Sequence, residues 1–268
     1  MILRLVCCLG MLFFGSCDLF STHYGKTCYR TEHFKIYYHE DEFTPQEIKQ
    51  IGARKEYLRK YINNTLETHF DGVIDVYLDW YLGENPNAEY TVGVFESRRY
   101  VMDDDGHEIA HIMVFETLGG DCDYDVMTEG MAVSLEYVDF SENATGGNYQ
   151  NALEMYARIM SMPDTSEEEN ELDWYKCDTS ITSQFYDRYF DYSSGSYLRA
   201  GAFLIYLRSH WGIKKVKQLY GELMQYTSSE KIDQTFKELF GATLPELEME
   251  FTRLYVTEER KKNQAGSK

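Results

Sequence analysis

The chain has 268 residues, 43% hydrophobic and 15% aromatic, which is enough for one large core or two small ones and excludes a chain disordered along its length. Against 26 Lys and Arg stand 45 Asp and Glu, a net charge of −19, which excludes nucleic acid as the expected partner because neutralising phosphates needs a basic surface. A mean hydropathy of −0.48 excludes a polytopic membrane protein.

The first element is an address. Residues Met1–Cys17 carry one basic side chain, Arg4, then the apolar run Leu5–Phe14, then Gly15-Ser16-Cys17. The run is about half of the roughly 20 residues that cross a bilayer and has the length of a signal-peptide core, so residues 1–17 are expected to be removed on export. The ending Phe14-Gly15-Ser16-Cys17 resembles a bacterial lipobox, with Phe14 where Leu is usual. That resemblance implies a lipid on Cys17 and an extracytoplasmic protein that touches the membrane only through this anchor. Ordinary cleavage nearby is the alternative. The body then holds Cys28, Cys122 and Cys177, which permit one disulfide and a spare thiol without fixing the pair.

Residues 18–31 read as a polar tether, and 32–258 as a single domain ending in a polar tail over 259–268. His33–Tyr38 has the β-rich, partly alternating character of a strand. Thr44-Pro45-Gln46-Glu47 offers a capping box with Pro at the first helical position, and Ile48, Ile51, Leu58, Ile62 and Leu66 continue at helical spacing. Val73–Leu82 predicts a second strand, Gly83–Asn87 a turn and Tyr90–Phe95 a third strand. Beyond residue 105 the pattern predicts helices near 107–118, 127–139, 148–161, 195–210, 213–226, 229–240 and 244–260. Glu167–Glu171 is expected to be a solvated loop. The fold class is therefore α+β: a sheet-bearing half over 32–120, with a helix covering the sheet, and a helical half over 121–258.

The chemistry concentrates in His107-Glu108-Ile109-Ala110-His111. On a helix, positions i and i+4 share a face, so both imidazoles can meet one Zn²⁺ ion while Glu108 points about 100° round towards the open side. Zinc acidifies water, and an adjacent carboxylate can take the proton and pass it to a leaving amine. Gly119 suits the left-handed cap that ends this helix. The next helix opens Met127-Thr128-Glu129-Gly130, and Glu129 lies 18 residues past His111, far enough for a hairpin to return it over the histidines. Two imidazoles and a carboxylate leave a fourth position for water, the catalytic arrangement.

His107-Glu108-x-x-His111 followed by Glu129-Gly130-x-Ala132-x-x-x-Glu136 resembles the gluzincin metallopeptidases, the thermolysin and zinc-aminopeptidase clan, and most of all the small extracytoplasmic peptidase MA-like families. Ser196–Leu207 with Trp211-Gly212, and Phe240-Gly241-x-x-Leu244-x-x-Leu247-Glu248, look like the family's later helices. The resemblance covers about His33 to Tyr255. It implies a zincin-like fold with an active-site cleft between the halves, one Zn²⁺ on His107, His111 and Glu129, Glu108 as general base, and a peptide or protein substrate. Two departures stand out: Val126 replaces the usual Trp, and Asp103-Asp104-Asp105-Gly106 replaces the usual apolar lead into the motif. They motivate an alternative, a weak or inactive surface lipoprotein that uses the same fold for binding or scaffolding.

Two further residues are candidates. Glu136, at i+7 from Glu129, is expected to accept the outer N–H of a zinc-bound imidazole, the alternative being a surface glutamate. Tyr197 is placed to donate to the oxyanion that forms when water attacks a carbonyl, the alternative being simple packing. Asp103, Asp104 and Asp105 read as a solvated helix start, with a calcium site as the remote option. His33, His39, His69 and His210 lack a partner at ligand spacing and are read as non-functional.

Overall fold

The computed structural model describes residues 27–78, 87–89, 93–96, 101, 106–137, 151–161 and 179–257. The leader with Cys17, Asp103–Asp105, the acidic run Glu167–Glu171, Cys177 and the tail lie outside the described residues. The chain divides into two compact units, one of Met1–Glu56 with Gly72–Asp103 and one of Tyr57–Asp71 with Asp104–Lys268.

The first unit is built on a five-stranded mixed sheet in the order β1-β2-β3-β5-β4. Its strands are β1 (Thr27–Arg30), β2 (Phe34–Tyr38), β3 (Ile74–Leu78), β4 (Asn87–Glu89) and β5 (Gly93–Glu96). β2, β3 and β5 run parallel, and β1 and β4 close the edges antiparallel. A parallel pair needs a long crossover, and helix α1 (Pro45–Leu66) supplies the one between β2 and β3. Its capping box is formed: Thr44 N–H donates to Glu47 Oε2 (2.7 Å) and Glu47 N–H to Thr44 Oγ1 (3.2 Å).

Alternation sorts the strand side chains by face. Phe34, Ile36, Ile74, Val76 and Leu78 are buried, together with Ile48 and Ile51 of α1. The intervening residues pair across the register instead: Lys35 with Asp75 at 3.2 Å, and Tyr37 stacked on Tyr77 at 5.0 Å. Lys55 of α1 sends its ammonium to both oxygens of Glu96 at the end of β5, at 2.8 and 2.7 Å, with both side chains buried.

Residues 27–30, expected as part of the tether, form β1. Thr-Cys-Tyr-Arg has no apolar alternation, and only the partner strand β2 reveals it. β5 covers the described part of the expected third strand, residues 90–92 lying outside the described residues, and β4 takes in Asn87, expected in the turn.

The second unit contains the rest of α1 and eight further described helices. They are α2 (His107–Leu118), α3 (Asp125–Leu135), α4 (Ala152–Ser161), α5 (Ile181–Tyr186), α6 (Ser194–Trp211), α7 (Ile213–Glu222), α8 (Ser229–Phe240) and α9 (Leu244–Thr252), the last running into a π turn. α6 is the central helix, buried along most of its length, with α3 and α4 against it. An aromatic cluster of Tyr156, Phe203, Tyr206 and Phe251 ties α4, α6 and α9 together.

At the crossing of α3 and α6, a Cβ on Gly201 would lie 2.3 Å from Val133 Cγ1, and one on Gly130 would lie 3.2 Å from the Ala200 backbone. Glycine at both positions is what lets the two helices approach this closely. α5, only six residues long, was not expected; it is capped by Ser180, whose Oγ accepts from Ser183 N–H at 3.0 Å. Its first two N–H groups, on Ile181 and Thr182, donate to Glu248 of α9 at 2.6 and 2.8 Å, and Arg199 of α6 holds the same carboxylate at 2.7 Å. No helix among the described residues is long and apolar enough to cross a membrane. The α+β expectation holds, and α2 lies within the second compact unit.

Candidate metal centre

α2 starts where a glycine permits it. Gly106 has φ +91°, its carbonyl accepts from Ala110 N–H at 2.8 Å, and the helix runs from His107 to the left-handed Gly119. His107 and His111 therefore stand one turn apart on one face. Ile109, Ala110, Met113 and Val114 are buried.

α3 begins at Asp125, two residues earlier than the pattern suggested, and ends at Leu135, four residues earlier. Glu129 sits inside it. Glu136 is the first residue past its end, with extended ψ, so the helical i+7 relation to Glu129 does not place it. The turn out of the helix does, bringing Glu136 Oε1 to 2.7 Å from His107 Nδ1.

Three atoms converge. His107 Nε2 and His111 Nε2 are 3.1 Å apart, and Glu129 Oε2 lies 3.3 Å from the first and 3.2 Å from the second. Ligands about 2.0–2.1 Å from a tetrahedral zinc ion stand about 3.3–3.4 Å from one another. The triangle thus has very nearly the edges of a zinc tetrahedron, and His107, His111 and Glu129 could hold a metal ion. The Glu136 carboxylate accepts from His107 Nδ1–H, which leaves Nε2 turned towards the cluster.

The electrostatics agree with a cation site. Burial pushes the His107 imidazole down, but hydrogen bonds to Glu129 and Glu136 and the charges of Glu136 and Glu108 outweigh it, holding the ring well above the ordinary histidine value. Burial pushes Glu129 up, and hydrogen bonds from both imidazoles with their charge outweigh that, bringing it to about 2. A divalent ion held by these three atoms would displace protons from the imidazoles.

Around this triangle the other candidates find their places. Tyr197, in the first turn of α6, has its ring centroid 6.1 Å from that of His107, and burial with the charge of Glu129 raises its phenol. Val126 is buried at 3% exposure and lines a shallow hollow with Asp123, Asp125, Arg188, Tyr189 and Tyr226. Cys28 and Cys122 are both free thiols, and burial raises Cys122 to about 12, so it is not a nucleophile. His33 binds Glu56 at 2.9 Å and His69 binds Asp71 at 2.8 Å, each within its own unit.

Sequence reasoning missed Asp125 and Tyr192, which are hydrogen-bonded at 2.7 Å beside the cluster. A signal existed for Asp125, four residues before Glu129 and hence on its face. None existed for Tyr192.

No family model and no curated protein matches the sequence. Among solved structures, the M1 zinc metallopeptidase from Deinococcus radiodurans aligns at 18% identity with a TM-score of 0.40, over 75% of this chain and 43% of that one. A point mutant of that enzyme aligns at 20% identity and 0.39 over 74% and 43%, and the mutant bound to a Tyr-Ser-Ala substrate at 17% and 0.39 over 75% and 43%. The chain spans less than half the length of these structures.

Proposed function

We propose that this chain is an extracytoplasmic zinc metallopeptidase, in which His107, His111 and Glu129 hold one Zn²⁺ and Glu108 is the general base. The observation that supports this most is the triangle of ligand atoms with edges of 3.1–3.3 Å. Zinc bound to two imidazoles and a carboxylate supplies Lewis acidity, which polarises a carbonyl and lets water give up its proton near neutral pH.

The chain's own residues do the rest. Glu108 follows His107 on α2, close enough for its charge to raise that imidazole. It accepts a proton from the water that attacks the scissile carbonyl carbon. It returns that proton to the nitrogen as the C–N bond breaks, so the amine leaves neutral. Glu136 keeps His107 in one tautomer and one orientation. Tyr197 stays protonated at neutral pH and serves as a donor to the carbonyl oxygen as its charge grows. Export and the lipid on Cys17 are supported by the composition of residues 1–17.

The test compares the mature chain with Glu108→Gln for zinc content and for turnover of a general peptide library. Both proteins should bind one zinc per chain, and the variant should lose about 10²–10⁴-fold in kcat. A Glu108→Gln protein as active as the parent removes the base assignment. A parent that binds zinc and cleaves nothing leaves the binding lipoprotein as the better reading.

A further inference from the structure

The segment from Asp187 to Ser193 links α5 to α6 and carries side chains with no part in the scheme above. Phe190 is buried at 4% exposure and meets two tyrosines edge-on, Tyr192 at 5.2 Å and Tyr197 at 5.2 Å. The Tyr192 and Tyr197 rings also lie 6.3 Å apart, tilted by 54°. Beyond Tyr197 comes the ring of His107. A continuous set of rings therefore runs from this segment to a metal ligand.

Tyr192 is the unusual member. It is 64% exposed, so burial of its ring accounts for little of its fixed position. Its hydroxyl is engaged instead, donating to Asp125 Oδ2 at 2.7 Å across 67 residues of sequence. Asp125 opens α3 one turn before Glu129. The neighbouring residue Ser193 caps α6, its Oγ accepting from Ser196 N–H at 3.3 Å. The segment is thus pinned at adjacent residues to the two helices that carry Glu129 and Tyr197. A charge-assisted hydrogen bond is directional, and this one ties Tyr192 to the helix of the carboxylate ligand.

We propose that Tyr192 is a positioning residue: through its hydrogen bond to Asp125 it fixes the Phe190 and Tyr197 rings so that the Tyr197 phenol is held beside the metal ligands. What Tyr197 then does rests on the peptidase reading, whereas where it is held does not. Preorganisation of this kind is how a site keeps a donor in place without rearrangement during the reaction.

Tyr192→Phe keeps the ring and removes only the hydroxyl. Asp125→Ala removes the acceptor. The mature chain, uniformly labelled with 3-fluorotyrosine, reports Tyr197 as the ¹⁹F resonance that disappears in Tyr197→Phe. In the parent this line should be single and shift on addition of Zn²⁺. In Tyr192→Phe and Asp125→Ala alike it should broaden or split, with zinc affinity and the thermal midpoint kept. With a peptide substrate, kcat should fall about three- to tenfold at nearly constant KM, and Tyr192→Phe should have no further effect in a Tyr197→Phe background. An unchanged Tyr197 line in both variants, or additive losses with Tyr197→Phe, overturns the proposal. If the parent cleaves no peptide, the peptidase reading fails and the resonance alone still decides where Tyr197 is held and by what.

Discussion

The two units each contain a tight group of opposite charges, and the groups differ in kind. In the sheet unit, one ammonium meets both oxygens of one carboxylate, Lys55 on Glu96, away from solvent. Donors match acceptors, and the charges cancel. In the helical unit, His107, His111 and Glu129 place three potential acceptor atoms at the corners of a triangle. A proton serves one edge of that triangle at a time, while a divalent cation at its centre serves all three corners. A closed pair is part of the scaffold, whereas an array that could hold a metal ion is a candidate site.

The comparison breaks most readily at the closed pair. Lys55→Ala leaves Glu96 buried without its ammonium and should cost about 3–5 kcal/mol in urea unfolding, whereas Lys55→Met combined with Glu96→Leu should be near neutral. Neither change should alter zinc stoichiometry, and a loss of zinc in the double variant would mean that the pair belongs to the site. At the triangle, Glu136→Ala removes the partner of His107 Nδ1 and should weaken zinc about 10- to 100-fold in a chelator competition, with little effect on unfolding. Gly201→Ala forces a methyl group into Val133 and should destabilise by about 1–3 kcal/mol while loosening zinc, since α3 must move to admit it.

The smallest expected effect is one of pH in the sheet unit. Burial pushes Glu56 up, but hydrogen bonds from Thr31 and His33, with the charge of His33, outweigh that and hold its carboxyl below the usual range. A value lower in the folded than in the unfolded chain stabilises above the unfolded carboxylate range and ceases to do so as pH falls through the folded value. Glu56→Gln should therefore lower the urea midpoint near neutral pH and lose that effect in acid. An equal deficit at both pH values would show that the loss is one of packing alone.

Local relations were readable in the sequence to the extent that backbone periodicity carries them. The i, i+4 spacing of His107 and His111 and the glycine at 119 set α2 to the residue. The capping box at Thr44 set the start of α1. β1 was not readable, because a four-residue edge strand is defined by its neighbour. α5 was not read either, because beyond the local Ser180 cap its first two N–H groups are satisfied by Glu248 from 66 and 67 residues away.

The candidate site divides along the same line. The histidine pair, the neighbouring Glu108 and the residue types of a zinc site follow from the sequence alone, because one helical turn is enough to bring them together. That Glu129 Oε2 comes within 3.3 Å of both imidazoles depends on the folded positions of α2 and α3. Glu136 reaching His107 from beyond a helix end, and Tyr192 reaching Asp125, depend on it equally. Such contacts arise only when helices pack, and packing depends on the burial of many side chains at once, which no local pattern encodes.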